Sequence, residues 1–259
     1  MSTRVHPAAH VDPAARLGVD VSVGPGTVIG PHAVIGDRTR IDACALIDGW
    51  ARIGAECHVH HGAVVGSPPQ DLKYKPGAPS YAEIGDRTVL REYTTINLAT
   101  EPEASTRVGS DCLVMAYAHA GHNVEIGNHV VIANAVQFAG YVTVEDWAIV
   151  GGGTVVHQFV RVGRHAMVGG GSRISQDVAP FVKCAGSPPH NIGVNRIGLE
   201  RRGFDAATLD AIDKAYRTLF RGGLAVAEAV QRLRAELPDN THVEHLARFA
   251  ETSVRGLSR

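Results

Sequence analysis

A repeat of six residues occupies the first two thirds of the chain and restricts its fold more than any other feature. From Val5 onward the sequence divides without a slip into hexads such as VGPGTV, IGPHAV and IGDRTR. The repeat stops after Gln70, returns for three hexads at Ile84, and resumes for twelve at Val108. In these 26 hexads the first residue is always apolar, and the fifth is small everywhere except at Pro69. A repeat this regular predicts a solenoid in which each turn packs on the next.

The period itself favours β structure. Side chains alternate along a strand, so one aliphatic and one small inward position in every six residues indicate short strands joined by tight corners. The composition agrees, because 29 glycines and only 5% aromatic residues are typical of turn-rich β proteins. Glycine, Asn and Asp are then expected at corners that need unusual backbone angles or close approach.

This pattern resembles that of the hexapeptide-repeat proteins, in which three hexads form one triangular coil of a left-handed parallel β-helix. The handedness is taken from that resemblance, because the usual crossover rule favours the opposite hand. We therefore expect a mainly β fold, a left-handed parallel β-helix of hexapeptide repeats with a small α-helical C-terminal domain. Residues three hexads apart should stack vertically.

The two interruptions of the repeat are predicted to be loops that leave the coil and rejoin it in register. They comprise residues 67–83 and 98–107. Insertions of this kind in a solenoid are where binding residues tend to lie.

The hexads end near Pro180, and a helical pattern follows. We expect the β-helix to span residues 1–187 and the helical domain residues 188–259. Asp205 is a candidate N-cap for the first long helix, which should end before Gly222, and two further helices should follow.

Composition excludes several classes of protein. A net charge of −1 gives no electrostatic reason to expect nucleic acid or an anionic membrane as a partner. No segment resembles a signal peptide or reaches the roughly 18 apolar residues of a membrane span, so we expect a cytoplasmic protein without membrane insertion. The cysteines show no CxxC spacing and are predicted to be buried small side chains, not zinc ligands or disulfides. They are Cys44, Cys57, Cys112 and Cys184.

The segment MAYAHAGHN places His119 and His122 among small residues. Stacking should put Gly140 above His122 and Gln158 above Gly140, so that His122 faces a notch lined by a backbone amide. A neutral imidazole can take a proton from an attacking hydroxyl, and an N–H group can stabilise the oxyanion that forms. These two groups suffice for acyl transfer from a thioester, so we expect no metal, no cofactor and no covalent intermediate.

Most outward-facing histidines in a chain with 14 of them are only solvated. His58, His60 and His61, in the segment CHVHHG, are assigned no function for this reason. His119 and His122 differ from them because small residues surround their column.

Several motifs are more specific than the hexads: QDLKY at 70–74, VHQF at 156–159, GVN at 193–195 and RRGF at 201–204. In these motifs the chain resembles the UDP-N-acetylglucosamine acyltransferases, which carry out the first step of lipid A biosynthesis and hence of lipopolysaccharide. The resemblance covers nearly the whole chain. It implies transfer of an (R)-3-hydroxyacyl group from acyl carrier protein to the 3-position of UDP-N-acetylglucosamine, in a homotrimer with sites between subunits.

The same resemblance implies roles for individual residues. His122 would be the general base, and the Gly140 amide would bind the oxyanion. Gly170 matches a position at which small residues accompany long acyl channels, which implies a donor of about twelve carbons or more. The residues expected to contact the sugar or acyl chain are Gln70, Asp71, Lys73 and His119. Those expected to contact the nucleotide and its phosphates are His157, Gln158, Asn195, Arg201 and Arg202.

The chain departs from the family at four positions. Many members have His at the positions of Asn97, Tyr141 and Pro188, and Asp at that of Asn123. Because Asn123 removes a carboxylate that could orient the base, either another acceptor does so or the base is weaker. Asn97 and Tyr141 leave open whether the acceptor carries a 3-hydroxyl or a 3-amino group, and we favour the hydroxyl.

Three other interpretations of the function stay open at this point. A paralogue could acylate a 3-amino UDP-sugar. A γ-type carbonic anhydrase shares the repeat and would use histidines such as those of AHAGH for zinc, but it would not require QDLKY or RRGF. A purely structural solenoid would not be expected to interrupt its coils with two polar loops.

Overall fold

The computed structural model describes residues 2–259, which form a triangular prism of β-strands followed by four helices. The prism is the left-handed parallel β-helix expected from the hexads. Each coil contributes one short strand to each of three faces. The first strands in chain order are β1 (Arg4–Val5), β2 (His10–Val11), β3 (Arg16–Leu17), β4 (Ser22–Val23), β5 (Val28–Ile29), β6 (Val34–Ile35), β7 (Arg40–Ile41), β8 (Leu46–Ile47), β9 (Trp50–Ile53), β10 (His58–Val59), β11 (Val64–Ser67), β12 (Tyr81–Ile84), β13 (Val89–Leu90) and β14 (Thr95–Asn97). The remaining ones are β15 (Ser105–Val108), β16 (Leu113–Val114), β17 (His119–Ala120), β18 (Glu125–Ile126), β19 (Val131–Ile132), β20 (Gln137–Phe138), β21 (Thr143–Val144), β22 (Ile149–Val150), β23 (Val155–Val156), β24 (Arg161–Val162), β25 (Met167–Val168), β26 (Arg173–Ile174), β27 (Val182–Ala185) and β28 (His190–Val194).

Three sheets form the faces of the prism. Sheet A contains every third strand from β1 to β25 and ends in β27 and β28. Sheet B contains every third strand from β2 to β26, and sheet C every third strand from β3 to β24. The chain therefore turns three corners in each coil, from A to B, from B to C, and from C to A.

Neighbouring coils pair in the register that the hexads predict. Ala120 pairs with Phe138, Phe138 with Val156, and Val156 with Ile174, each 18 residues further along. All four side chains point inward and are at most 3% exposed. The first residues of successive hexads thus form continuous buried columns, and their burial supplies most of the stabilisation of such a coil.

The small residue at the fifth position also points inward, and where it is Thr its hydroxyl is satisfied by backbone. Thr39 is fully buried, and its Oγ1 donates to the Gly54 carbonyl at 2.8 Å. The same oxygen accepts the Cys57 N–H at 3.0 Å. The Thr39 hydroxyl therefore forms hydrogen bonds with the corner of the next coil, so its own buried oxygen has partners.

The second and fourth positions of the hexads meet different structural requirements at the corners. Positive φ falls at fourth positions, for example at Arg38 (57°) and Asn123 (58°). The second-position Gly36 has no such angle, but a Cβ there would lie 2.5 Å from the Gly54 carbonyl carbon and 2.6 Å from the Ala55 nitrogen. Of the two roles expected for glycine, close approach between coils is therefore the one that applies at this second position.

The buried-cysteine prediction is confirmed at Cys57, Cys112 and Cys184 and is wrong at Cys44, which is exposed. Cys44 occupies a fourth position with φ of 57°. A side chain at such a corner points away from the coil axis, so the repeat position decided its exposure.

Both interruptions of the repeat are loops that leave the coil and rejoin it in register. The first covers residues 68–80 and the second residues 98–104. Pairing resumes across them, since Val65 pairs with Ile96 and Ile96 with Ala120. Both loops connect a strand of sheet B to a strand of sheet C, so they project from the same corner of the prism.

The C-terminal part contains α1 (Arg196–Glu200), α2 (Ala206–Phe220), α3 (Val226–Glu236) and α4 (Thr241–Glu251). Asp205 is the N-cap of α2 as predicted, and its carboxylate accepts the Thr208 N–H at 2.7 Å. The antiparallel hairpin of β27 and β28 extends sheet A, and the predicted domain division at 187/188 falls inside it. None of the helices in the described part of the chain has both the length and the apolar character that crossing a membrane requires.

We predict that Gly36→Ala destabilises the protein by about 1–3 kcal/mol, because the added methyl group would overlap the backbone of the next coil. Gly30→Ala is the matched control. It lies at the same repeat position, where the nearest atom is the Asp48 Oδ1 at 3.1 Å, the end of a side chain that can move. Thermal melting of both variants beside the parent protein measures the difference, and equal melting temperatures would contradict the close-approach argument.

Candidate functional site

The two loops and His122 meet at the corner between sheets B and C. The first loop follows β11, the second follows β14, and His122 follows β17, which are neighbouring strands of sheet B. Asp71 comes from the first loop and Glu101 from the second. The loops therefore form a wall beside His122 that the coil alone could not supply.

A cavity of about 430 Å³ lies on this part of sheet B. Its lining mixes polar groups with apolar atoms, and the exposed Val155 side chain belongs to the apolar part. Polar groups converge on it from the loops and the corner. The predicted site residues that line it are Gln70, His119, His122, Gly140 and Gln158.

The notch predicted above His122 is present. A Cβ at Gly140 would lie 2.4 Å from Cε1 and 2.5 Å from Nε2 of the His122 ring. Any residue other than glycine at this position would therefore clash with the imidazole. Across residues 2–259 no hydrogen-bond acceptor is paired with the Gly140 N–H. The corner thus offers an unpaired backbone donor next to an imidazole that is 17% exposed.

Asn123 determines which nitrogen of His122 carries the proton. Its Oδ1 accepts the Thr100 N–H at 3.1 Å, and its Nδ2 donates to the Glu101 carboxylate at 2.8 Å, so the amide can face only one way. His122 Nδ1 lies 3.1 Å from that same Oδ1 and must therefore donate to it. The proton is held on Nδ1, and Nε2 keeps its lone pair for the cavity.

A carboxylate supports this arrangement from behind. Glu101 accepts hydrogen bonds from Asn123 Nδ2 and from the Tyr141 hydroxyl. The Tyr141 bond first, and then those from Thr100 and Asn123, hold the pKa of Glu101 below its usual value. Glu101 is therefore ionised at neutral pH, and its charge polarises the Asn123 amide so that Oδ1 becomes a better acceptor for His122.

Asp71 lies on the other side of the imidazole ring. Its Oδ2 is 3.9 Å from His122 Nε2, too far for a direct hydrogen bond. Its Oδ1 accepts the Lys73 N–H at 2.9 Å, which fixes the carboxylate within the first loop. Nε2 thus faces the open cavity with an acceptor group close by.

Asn97 brings an unsatisfied acceptor to the cavity. Its side chain is only 4% exposed, and its Oδ1 has no hydrogen-bond partner in the described chain. A buried carbonyl oxygen without a partner is costly, so the position suits a ligand that donates an N–H or O–H group. Nearby His119 is hydrogen-bonded at Nδ1 to the Thr95 hydroxyl at 2.7 Å, and burial lowers its pKa, which keeps it neutral.

Several predicted residues lie outside the cavity of this chain. Lys73 and His157 are exposed, and the His157 Nδ1 donates to the neighbouring Gln158 carbonyl at 3.1 Å. Gly170 lies at the corner between sheets A and B, across sheet B from His122. The distance across the sheet suits contacts along an extended ligand better than contacts at its reactive end.

The residues expected to bind phosphate lie at a third corner, between sheets C and A. Asn195 is buried there and donates to the His165 carbonyl at 3.0 Å. Arg202 donates to His165 Nδ1 at 3.1 Å and lies over the Trp147 ring. Burial first, and then the Arg202 charge, lower the pKa of His165 to about 4, so the imidazole stays neutral and accepts. Within one chain, this group and Arg201 are therefore apart from His122.

Three residues at the site, Glu101, Thr100 and Gln137, were not predicted from the sequence. Glu101 and Thr100 stand at the start of the second interruption, where binding residues were expected, but nothing in the repeat shows which loop residues turn toward His122. Gln137 lines the cavity from β20. Its place directly before the inward Phe138 of the His122 column was the only available signal.

A zinc site at AHAGH finds no support within the chain. Among residues 2–259 the one group of three metal-ligating side chains lies elsewhere, on sheet A. His119 and His122 have hydroxyl and amide partners instead.

Two family descriptions match the chain. Residues 105–140 match the bacterial transferase hexapeptide family, described as six repeats. Residues 177–258 match the description "Udp N-acetylglucosamine O-acyltransferase; Domain 2".

Curated relatives are similar over most of the chain. The enzyme of Burkholderia lata, an acyl-acyl-carrier-protein–UDP-N-acetylglucosamine O-acyltransferase, is 43% identical over 212 residues, 80% of each chain. That of Burkholderia thailandensis, with the same name, is 44% identical over 206 residues, 78% of each chain.

Solved structures are similar over nearly the full length. The UDP-N-acetylglucosamine acyltransferase of Francisella novicida superposes with a TM-score of 0.95 at 33% identity, covering 98% of this chain and 94% of that one. The acyltransferase of the same name from Bacteroides fragilis gives a TM-score of 0.94 at 36% identity, covering 98% and 99%.

Proposed function

The chain belongs to the family of acyl-carrier-protein-dependent UDP-N-acetylglucosamine O-acyltransferases, and we propose that His122 is the general base of its reaction. The enzyme transfers an acyl group from acyl carrier protein to a hydroxyl of UDP-N-acetylglucosamine, the first step of lipid A biosynthesis. The hydrogen bond from His122 Nδ1 to Asn123 Oδ1 is the observation that carries the proposal. It leaves a basic Nε2 directed at the cavity.

In the proposed reaction the 3-hydroxyl of the sugar lies against His122 Nε2. The imidazole takes the hydroxyl proton while the oxygen attacks the thioester carbonyl, and a C–O bond forms. The tetrahedral intermediate then collapses and breaks the C–S bond, and the imidazolium gives its proton to the departing thiolate sulfur, which leaves as the thiol of the carrier protein. Asn123 and Glu101 stabilise the positive ring during this sequence.

The Gly140 N–H is proposed to bind the oxyanion of that intermediate. It is unpaired, it lies at the cavity, and its amide belongs to a rigid corner of the coil. A fixed donor of this kind costs little reorganisation when charge develops on the carbonyl oxygen.

The remaining polar groups of the cavity are proposed to place the acceptor sugar. Asn97 Oδ1 would accept a donor group of the sugar, such as its acetamido N–H, which satisfies the buried carbonyl. Gln70, Asp71, Lys73 and His119 would contact the sugar or the acyl chain. The neutral state of His119 suits a hydrogen bond to a hydroxyl without an added charge.

We also propose that the site is completed in a homotrimer. The cavity of one chain lacks arginine, whereas Arg201 and Arg202, which suit the phosphates of the nucleotide, lie at another corner. Leu72 of the first loop is fully exposed, and Phe159 is 50% exposed. Apolar side chains this exposed beside a polar site are typical of a surface that another subunit covers.

The donor is proposed to be a long (R)-3-hydroxyacyl chain on acyl carrier protein. Gly170 places no side chain at the far edge of sheet B, and Gly152 lies next to it on the neighbouring coil. An apolar chain of about twelve carbons or more could then extend along this edge without obstruction.

We predict that His122→Ala lowers kcat by about 10²- to 10⁴-fold, because the base is lost while the binding groups remain. The measurement is product formation from UDP-N-acetylglucosamine and a set of hydroxyacyl carrier proteins. His61→Ala, on another face of the prism, is the control and should behave as the parent enzyme. Full activity of His122→Ala would refute the assignment.

We predict that Glu101→Gln lowers kcat by about tenfold, less than loss of the base itself, because the uncharged amide no longer polarises Asn123. KM for the UDP-sugar should change less than kcat. Nitrogen NMR shifts of the His122 ring should show Nδ1 protonated in the parent enzyme and a mixture of tautomers in the variant. Glu103→Gln is the control in the same loop, because Glu103 accepts a hydrogen bond from the Tyr81 hydroxyl instead. An equal effect of both variants would exclude a specific role for Glu101.

We predict that Gly170→Met shifts donor preference toward shorter acyl chains, because the side chain would block the far edge of sheet B. A difference of one methylene in an apolar pocket typically changes selectivity by roughly 10-fold or more. Competition between donors of different length measures the preference. An unchanged preference, or a parent enzyme that favours a chain of about ten carbons, would contradict the assignment of Gly170.

A further inference from the structure

A second group of histidines lies on sheet A, on a different face of the prism from the cavity. Asp42 follows β7, while His58 opens β10 and His60 follows it. One ligand atom from each of the three lies within 4.8 Å of the other two. These are residues of the CHVHHG segment and its neighbouring coil, and the acyltransfer reaction does not use them.

The carboxylate of Asp42 is oriented by an arginine. Arg40 Nε donates to Asp42 Oδ1 at 2.7 Å. The other oxygen, Oδ2, faces both imidazoles, at 2.8 Å from His58 Nε2 and 3.4 Å from His60 Nδ1. Arg40 thus occupies one oxygen and leaves the second available, which is the arrangement that supporting residues give to a metal-binding carboxylate.

The two imidazoles stack on the outer face of the coil, with their planes 28° apart. Their rings stack with centroids 3.8 Å apart, because residues 58 and 60 flank the inward Val59 and both point outward. His58 and His60 are 29% and 19% exposed, so the nitrogens are accessible to a small ion but partly shielded from water. The positions are set by strand pairing between β7 and β10, not by a flexible loop.

We propose that Asp42 Oδ2, His58 Nε2 and His60 Nδ1 bind a divalent transition-metal ion, with Zn²⁺ as the best match. Two imidazole nitrogens and one carboxylate oxygen form a ligand set that suits Zn²⁺ better than Mg²⁺ or Ca²⁺. Zinc–ligand bonds of about 2.0–2.2 Å require neighbouring donor atoms roughly 3.3 Å apart, close to the observed separations from Oδ2.

Binding requires the two stacked rings to rotate about their side-chain bonds, because a metal–nitrogen bond lies in the plane of its imidazole ring. His58 Nε2 also donates a hydrogen bond to Asp42 Oδ2 and would have to give up that hydrogen to bind the ion. A fourth ligand can be water or Glu92, whose Oε1 lies 3.5 Å from His60 Nδ1.

The role of such an ion would be structural. It would link the coil of β7 to the coil of β10 from outside, where the coils are otherwise joined by backbone pairing and core contacts. An ion that binds only the folded chain raises its stability in proportion to the logarithm of its concentration. Its presence can therefore be tested without measuring acyl transfer.

The test is calorimetric titration of untagged protein with ZnSO4, together with thermal melting and the visible spectrum of the protein with CoCl2. We expect saturable binding of about one Zn²⁺ per chain, a rise in melting temperature with Zn²⁺, and the intense absorption of low-symmetry Co²⁺. His60→Ala and the nearly isosteric Asp42→Asn should each weaken binding by roughly tenfold or more and abolish the thermal shift.

His61→Ala is the matched control, since its ring belongs to the same segment but faces the Tyr93 hydroxyl at 3.0 Å instead of the cluster. It should bind Zn²⁺ as the parent protein does. Equal binding by the parent, His60→Ala and Asp42→Asn would show adventitious surface binding and overturn the proposal, as would the absence of saturable binding in the parent. Since the cluster lies on another face, His60→Ala should keep its acyltransferase activity, so the two proposals stand or fall separately.

Discussion

The stacking of residues 18 positions apart is the constraint on which the rest of the structure depends. Inward columns such as Ala120, Phe138 and Val156 hold the coils in a single register, because a shift of one residue would turn every apolar side chain outward. The same register places Gly140 over His122, where any side chain would meet the ring. The packing that stabilises the solenoid therefore also fixes the imidazole and the amide relative to each other, and no further element is needed to align them.

This dependence explains what could be predicted from the sequence. The hexads predicted the coils, the inward columns and the notch at Gly140, because each of these repeats with the chain. They could not predict the contacts of Glu101 with Asn123 and Tyr141, because the second loop has no period and its fold depends on its own hydrogen bonds. The outward turn of Cys44 was also missed, since the corner position, and not the residue type, sets its exposure.

The network at Asn123 shows how a charge can act on an imidazole from one residue further away. A carboxylate in place of Asn123 would accept from His122 directly and would place its full charge on the ring. Here a neutral amide makes that contact, and the carboxylate of Glu101 lies behind it, held by the Tyr141 hydroxyl. The amide fixes the tautomer as firmly as a carboxylate would, because its orientation is determined by the Thr100 N–H. The charge of Glu101 then acts on the ring through the amide dipole, more weakly than a carboxylate in direct contact would.

The separation of the corners limits what one prism can do by itself. His122 and the Gly140 notch occupy the corner between sheets B and C, Gly170 lies between A and B, and Arg202 lies between C and A. A nucleotide sugar cannot pass through the packed core from one corner to another, since the interior columns are filled. If all of these groups serve one reaction, the arginines must reach the base from a neighbouring prism. The rigid coil thus makes a shared site between subunits the natural arrangement, because one prism cannot bend to bring its own corners together.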